Sequence, residues 1–129
     1  QLAQNTWRIR IDAAEIARII KPGQFVMIRI PDRTDPLLAR PFALYDVQFD
    51  SSGQAQSLDI VYLVVGKMTS LLTQSRSGEK IEIWGPLGNG FLHLGQQENV
   101  NLVAGGIGQT PFLAYTRELL GSQGYAGQS

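Results

Sequence analysis

The sequence contains no cysteine and only one histidine, His93, among its 129 residues. Without cysteine, the chain itself cannot supply a disulfide, a thiolate zinc site, an iron–sulfur ligand set or a cysteine nucleophile. One histidine is too few for a His-rich metal site or for a relay of histidines. We therefore predict no metal ligands and no catalytic side-chain group in this chain, and no serine-elbow pattern is present either.

The sequence also lacks an excess of charge of either sign and any long hydrophobic run. Eleven Lys and Arg residues balance eleven Asp and Glu residues, whereas a duplex nucleic-acid binder normally shows a basic excess. The longest apolar run, residues 60–65, is far shorter than the roughly 20 residues of a membrane span, and no secretory signal opens the chain. We expect a cytoplasmic protein with neither a nucleic-acid partner nor a membrane.

Strand-like patterns dominate the first three-quarters of the sequence, and 43% apolar residues are enough for a core. The run at residues 58–65 is apolar on both faces, which predicts a buried strand. Residues 13–20 fit a helical turn or a strand, and residues 69–74 fit a short helix. Strands are predicted by alternation or by β-branched and aromatic runs at residues 7–11, 24–30, 42–49, 58–65 and 80–84. Their spacing predicts a mainly β fold, with a small antiparallel Greek-key barrel over residues 1–97.

The pattern changes near residues 96–99, where we place a domain boundary. Residues 100–104 (VNLVA) predict a short strand that leads into a glycine turn and a helix. Thr110 suits the N-cap of that helix, and Pro111 suits its first position. This β–turn–α unit is typical of the opening of an α/β domain. Since one strand and one helix cannot make a covered sheet, residues 98–129 are predicted to be the start of an incomplete α/β domain.

The glycine turn of that unit is the first motif that could bind a ligand. Gly106-x-Gly108-x-x-Pro111 lies between a predicted strand and a predicted helix, so its backbone amides and the helix dipole would face an anion. The motif departs from the dinucleotide fingerprint because proline stands in place of the last glycine. A tight turn without a ligand is an equally good interpretation.

A second strand–turn–helix junction occurs at Gly66-Lys67-Met68-Thr69. Its amides, hydroxyl and lysine could hold a phosphate group. Taken alone, Thr69 is more readily explained as an ordinary N-cap.

Two further motifs involve an arginine and a glycine-rich loop. The first is Arg40-Pro41-Phe42-Ala43, in which the arginine at the lip of a strand offers a planar fork for phosphate. The alternative interpretation is a surface arginine beside a core phenylalanine.

The second motif, residues 85–91 (GPLGNGF), requires a specific loop path and could equally be a connector.

Together and in this order, these motifs resemble the ferredoxin–NADP reductase superfamily. Within it the chain is most similar to the family of electron-transfer subunits of NAD-linked dihydroorotate dehydrogenases. The resemblance spans nearly the whole chain and rests on five segments: PGQFV at 22–26, RPFAL at 40–44, VGKMT at 65–69, GPLGNGF at 85–91 and GGIGQTP at 105–111.

The resemblance implies a FAD-binding barrel followed by an NAD-binding domain. Arg40 would contact the FAD phosphates, Pro41 to Ala43 would line the isoalloxazine side, and the turn at Gly66 to Thr69 would hold the pyrophosphate. The residues implied in FAD binding are Arg40, Pro41, Phe42, Ala43, Leu63, Val65, Gly66, Lys67, Met68 and Thr69. Those implied in NAD binding are Gly105, Gly106, Gly108 and Pro111.

The activity implied by the resemblance is electron transfer in pyrimidine biosynthesis. Electrons from dihydroorotate oxidation on an FMN-containing catalytic partner subunit would pass through a [2Fe-2S] cluster to FAD, and then as hydride to NAD. The protein would be an oxidoreductase component in a hetero-oligomer. The cofactors carry such chemistry, and the protein binds and tunes them, so no side-chain acid or base is required.

The sequence departs from this family in two respects. Ala43 stands where the family usually has Ser or Thr, so a hydroxyl near the flavin N5 is missing. The four cysteines that ligate the family's cluster lie after its NAD domain, and this chain stops earlier. We therefore expect a fragment that does not work alone, or a reduced relative without the electron path. Alternatives are another NAD(P)H-linked flavin reductase subunit, of the sulfide dehydrogenase or hydrogenase type, and a non-catalytic barrel used for docking.

Overall fold

The computed structural model of the chain describes residues 1–94 and 99–121. Its helices are short; the longest in these ranges has eight residues, well below the length needed to cross a bilayer. The strands are β1 (Thr6–Asp12), β2 (Phe25–Arg29), β3 (Arg40–Ala43), β4 (Asp46–Phe49), β5 (Ala55–Leu63) and β6 (Glu82–Leu87). The helices are α1 (Ala14–Ala17), α2 (Lys67–Leu72) and α3 (Phe112–Leu119), with a 3-10 helix at Gly106–Gln109.

The strands form two three-stranded antiparallel sheets, in the orders β1-β5-β4 and β3-β2-β6. The predicted mainly β, antiparallel fold is confirmed. However, the sheets do not close into the expected barrel, because no ladder joins β1 to β6 in the described part of the chain. A cleft of about 590 Å³ lies between β1 and residues 75–81, the segment that precedes β6.

The core lies between the two sheets and draws on alternate residues of each central strand. Val26 and Ile28 of β2 face Leu58 and Ile60 of β5, and none of the four is exposed. Burying each such side chain stabilises the fold by about 1.5–3 kcal/mol. The buried strand predicted over residues 58–65 is confirmed up to Leu63, where β5 ends: residues 57–62 are all buried, whereas Val65 lies beyond the strand and is exposed. Residues 13–20, left open between helix and strand, contain the short helix α1.

The prediction of one strand over residues 42–49 is wrong, because the chain turns a corner within it. The Leu44 amide donates to Gln24 O (3.1 Å), next to β2, whereas the Tyr45 amide donates to Asp59 O (3.0 Å) in β5. Neighbouring peptide groups therefore bond to different sheets. The sequence does not mark the corner, because residues 42–45 are all apolar or aromatic and Leu44 is itself fully buried.

The strand predicted over residues 100–104 is also absent, and these residues are exposed. A strand requires a neighbour to accept its backbone hydrogen bonds, and the described residues provide none there. The proposed boundary at residues 96–99 falls largely on residues 95–98, outside the described ranges. On the far side of it, α3 packs on the sheets, with Ala114 fully buried.

The start of α3 differs from the prediction as well. The 3-10 helix precedes it, and α3 begins at Phe112 with Pro111 as its N-cap. The Thr110 hydroxyl donates to Ile107 O (3.0 Å), so it closes the 3-10 turn instead of capping α3. Gly121 has φ +65° just after the helix, which is the position and conformation of a terminating glycine.

The glycine-rich run at residues 85–91 is split between a strand and a loop. Its first three residues continue β6 as far as Leu87, opposite a register shift in β2 between Phe25 and Met27. Its last residue is tied to the turn after α1, because the Phe91 amide donates to Pro22 O (2.8 Å). At Gly23, with φ +92°, a Cβ would lie only 2.8 Å from the Phe91 amide nitrogen.

Gly23→Ala tests this close approach. An alanine at positive φ costs about 1–2 kcal/mol, and the clash with Phe91 adds about 1–3 kcal/mol of overpacking. Gly78 has a similar φ of +87° with open space around it, so Gly78→Ala is the matched control. Chemical denaturation should show a larger loss of unfolding free energy for Gly23→Ala. Equal losses would show that the contact with Phe91 is unimportant.

Candidate cofactor cleft

A cleft of about 510 Å³ opens where β3 and β5 meet α2 and the 3-10 helix. It collects residues from four separate segments of the chain. The lining residues are Pro36, Arg40, Pro41, Phe42, Ala43, Val61, Tyr62, Leu63, Val65, Gly66, Lys67, Met68, Thr69, Ile107, Gly108, Thr110 and Pro111.

The structure brings all ten residues predicted from the FAD motifs to this one cleft. Of the four residues predicted for NAD, Gly108 and Pro111 line it and Gly105 does not. Gly106 lines an adjoining cavity of about 340 Å³ on the other side of the turn. The remaining lining residues were not among those predicted to bind a cofactor, although the last two lie within the GGIGQTP segment: Pro36, Val61, Tyr62, Ile107 and Thr110.

The β3 wall carries a cation at its lip and an aromatic ring at its base. Arg40 is exposed, and its Nη1 donates to Leu38 O (3.2 Å) and Ala39 O (3.1 Å). These bonds hold the guanidinium near the backbone and leave Nε and Nη2 without a partner in the described residues. Phe42 is buried and meets the Tyr62 ring edge-on, with the centroids 5.8 Å apart.

The turn before α2 is organised by the hydroxyl of Thr69. This oxygen accepts the amides of Val65 (3.0 Å) and Gly66 (3.1 Å) and donates to Gly66 O (2.9 Å). The N-cap interpretation and the site interpretation of Thr69 therefore coexist, because the hydroxyl closes the turn that lines the cleft. The amides of Lys67 and Met68, in the first turn of α2, have no intrahelical acceptors.

Lys67 also connects α2 to the loop before β3. Its Nζ forms an ion pair with Asp35, in the loop predicted at residues 31–36. Both side chains are largely exposed, so the pair contributes little to stability. The pair means that the lysine that could bind an anion, Lys67, already contacts the carboxylate of Asp35.

Tyr62 is the cleft residue that pattern reasoning would least easily find. Its side chain is 4% exposed, and its hydroxyl has no hydrogen-bond partner within residues 1–94 and 99–121. Burial raises the pKa of this hydroxyl. The only signal in the sequence is a polar-tipped aromatic in an otherwise aliphatic strand, where buried tyrosines usually have a partner.

The donor set of the cleft fits a flavin dinucleotide. Apolar and aromatic side chains form one wall of the cleft. The volume of the cleft lies in the range of small-molecule sites. Arg40, Lys67 and the first amides of α2 supply donors suited to phosphate oxygens. The described residues therefore offer an apolar surface for a ring system next to cationic groups for an anion.

Comparison with known families agrees with this fit. A family model described as an oxidoreductase FAD-binding domain matches residues 1–91. Since this is more than half of the sequence, the chain belongs to the family of oxidoreductase FAD-binding domains.

Within that family, the most similar curated relatives include electron-transfer subunits of dihydroorotate dehydrogenase B (NAD(+)). The subunit from Desulforamulus reducens is 39% identical over 92% of this chain and 44% of its own length. That from Geobacillus thermodenitrificans is 35% identical over 92% of this chain and 45% of its length. The predicted resemblance is thus confirmed, and the chain spans less than half the length of these relatives.

A solved structure supports the same fold. It is described as an NADH-dependent reduced ferredoxin–NADP oxidoreductase studied for flavin-based electron bifurcation, and it superposes with a TM-score of 0.61. Its sequence is 26% identical, and the match covers 71% of this chain and 31% of that chain. The ferredoxin-reductase-like character of the fold is therefore confirmed.

The raised pKa of Tyr62 predicts a pH dependence of stability. In the unfolded chain a tyrosine ionises at a pKa of about 10, whereas in the folded chain Tyr62 stays protonated to higher pH. The stability linked to this hydroxyl is therefore present below pH 10 and is lost as the pH rises towards the folded pKa.

Urea denaturation between pH 8 and 11 measures this effect. Wild type should lose stability more steeply than Tyr62→Phe above a pH of about 10, because the phenylalanine variant has no proton to release. Parallel curves for the two proteins would contradict the assignment.

Proposed function

We propose that the chain binds FAD in this cleft and forms the flavin-bearing part of an electron-transfer subunit. The observation that carries the proposal is the convergence of Arg40, the apolar β3 wall and the Thr69 turn on one cleft. The family of the chain supports FAD as the cofactor. When bound, the flavin supplies hydride and single-electron chemistry.

The residues of the chain would divide the binding between two ends of the cofactor. The free Nε and Nη2 groups of Arg40 would donate to the phosphates at the lip. Pro41, Phe42 and Ala43 would present the apolar wall to the ring system, with Leu63 and Val65 of the next segment beside them.

The turn at the start of α2 would hold the pyrophosphate. Thr69 keeps this turn closed through its bonds to Val65 and Gly66, which leaves the amides of Lys67 and Met68 for the anion. Lys67 would exchange the carboxylate of Asp35 for a phosphate oxygen.

The glycine turn would contribute to a nicotinamide site at the mouth of the cleft. Gly108 and Pro111 line the cleft already, and we propose Gly105 and Gly106 as the backbone that an NAD phosphate would approach.

The relatives suggest the electron path of the complete protein. We propose a dihydroorotate dehydrogenase complex in the cytoplasm, in which an FMN-containing catalytic subunit and a [2Fe-2S] cluster outside this chain deliver electrons to the FAD site. NAD would be the acceptor, and the assembly would be a hetero-oligomer.

A second candidate is another NAD(P)H-linked flavin reductase subunit. The similarity to an NADH-dependent ferredoxin–NADP oxidoreductase structure favours it. A docking module without flavin is the alternative from a different class, and it predicts no affinity for FAD.

Titration with FAD followed by gel filtration separates these classes. Co-elution of visible flavin absorbance with the chain at one-to-one stoichiometry is expected. A folded chain that never retains flavin would leave the docking module as the better interpretation. The electron donor is then tested with a complete electron-transfer subunit, one that includes the cluster, by reconstitution with a catalytic FMN subunit and reduction by dihydroorotate.

Arg40→Ala tests the phosphate contact. Losing a charge-assisted hydrogen bond to phosphate costs about 1.5–3 kcal/mol, so Kd for FAD should rise roughly ten- to a hundredfold. The matched control is Arg29→Ala on β2, a partly buried arginine paired with Glu82 and outside the cleft. Isothermal titration should show Kd unchanged in the control. An unchanged Kd in Arg40→Ala would remove Arg40 from the site.

Ala43→Ser tests the departure from the family pattern. The added hydroxyl can donate to the flavin near N5, which changes the relative stability of its oxidised and reduced forms. We expect FAD to bind as before and its midpoint potential to shift, as measured by spectroelectrochemical titration. The same potential in both proteins would show that residue 43 does not reach the reactive edge of the flavin.

A further inference from the structure

Four charged residues form a row across the first sheet and onto α3. Arg10 of β1 lies opposite Asp59 of β5, and Asp59 lies opposite Asp46 of β4. Residues directly opposite one another on antiparallel strands share a face of the sheet. Arg117 of α3 completes the row through an ion pair with Asp46.

Both carboxylates of this row are buried. Asp59 is 1% exposed and Asp46 is 3% exposed. Arg10 donates to both oxygens of Asp59, from Nε at 2.8 Å and from Nη2 at 2.9 Å, and Arg8 Nη1 lies 4.0 Å from the same carboxylate. The charge of Asp59 is therefore compensated within the sheet.

Asp46 depends on α3 for its compensation. Its Oδ2 accepts from Arg117 and from Gln48 Nε2 (3.0 Å), while its Oδ1 is buried without a partner in the described part of the chain. A buried carboxylate next to a second one is unfavourable unless a cation neutralises it. Arg117 is the cation that the structure places on Asp46.

The same helix carries the glycine turn into the cleft. Ile107, Gly108, Thr110 and Pro111 line the cleft just before α3 begins. The C-terminal part of α3 is therefore held to the sheet by the ion pair between Arg117 and Asp46. The N-terminus of α3 is joined to the glycine turn at the mouth of the cleft. Among the described residues, no other ion pair joins α3 to the sheets.

We propose that Asp46 and Arg117 act as a positioning pair that holds the glycine turn against the cofactor cleft. Neither residue lines the cleft, so the pair acts through the placement of α3. The proposal rests on the FAD function for its effect on flavin, whereas its effect on the turn can be measured without flavin.

Hydrogen–deuterium exchange of the full chain tests the proposal. The amides of Gly108 and Thr110 donate to Gly105 O and Ile107 O, each at 3.1 Å, and they report on the turn. In Arg117→Gln, exchange of these amides should be at least tenfold faster, while exchange in β2 and β5 stays unchanged. Arg29→Gln is the matched control, because it breaks a partly buried pair on the other sheet, and exchange of the turn amides should equal that of wild type.

Three further variants separate the pair from a general loss of stability. Asp46→Asn should accelerate exchange in the turn as Arg117→Gln does, and the double variant should add little to either single change, because the two residues act as one unit. Arg117→Lys retains the charge but not the planar fork, so it should give a smaller increase. If Arg117→Gln does not fold, Arg117→Lys and Asp46→Asn carry the test.

The outcomes for flavin and for the turn are distinguishable. Unchanged exchange in the turn, or acceleration spread equally over β2 and β5, overturns the positioning role. Faster exchange confined to the turn, in a chain that never binds FAD, supports the pair and refutes the flavin function. Where FAD binds, it should dissociate at least threefold faster from Arg117→Gln than from Arg29→Gln, and equal rates would overturn the link to the cleft.

Discussion

The arrangement of the two sheets depends on the change of hydrogen-bond partner at Leu44 and Tyr45. These consecutive amides donate to Gln24, beside β2, and to Asp59, in β5, so one peptide step belongs to both sheets. A slip between the sheets would leave a buried amide unpaired, which costs about 1–3 kcal/mol. The same corner brings β3 beside β5, with Phe42 against Tyr62, and that contact forms the floor of the cleft.

The corner brings residues that are distant in sequence together in one cleft. The β3 segment contributes a cation and an apolar wall, and the turn before α2 contributes amides held open by Thr69. The hydroxyl of Thr69 accepts the amides of Val65 and Gly66, which stabilises the turn. The next amides, those of Lys67 and Met68, are then the ones left to donate to a ligand. Such a division lets a binding turn be rigid before its ligand arrives, and rigidity of this kind favours affinity.

Pattern in the sequence predicted β1 from its alternation, β2 from its β-branched and aromatic content, and β5 from a run that is apolar on both faces. It missed the corner because residues 42–45 are all apolar or aromatic and Leu44 is itself buried, and it predicted a strand at residues 100–104 because composition does not reveal whether a neighbouring strand exists. Closure of the barrel likewise depends on the distance between β1 and β6, which no local pattern encodes. In the cleft, the resemblance marked twelve residues, ten for FAD together with Gly108 and Pro111 for NAD, whereas Tyr62 lies in a strand whose composition indicates only packing.

The open seam between β1 and the residues before β6 leaves one edge of β1 without a strand partner among residues 1–94 and 99–121. An unpaired strand edge is a template on which another chain can add, and proteins resist this with charged side chains along the edge. Arg8 and Arg10 stand on β1 with Arg76 and Lys80 across the seam, and Asp59 anchors both β1 arginines from beneath. With Asp12 and Glu79 also lining the seam, the edge is rich in charge of both signs, and the arginines that compensate the buried carboxylate of Asp59 belong to this charged edge.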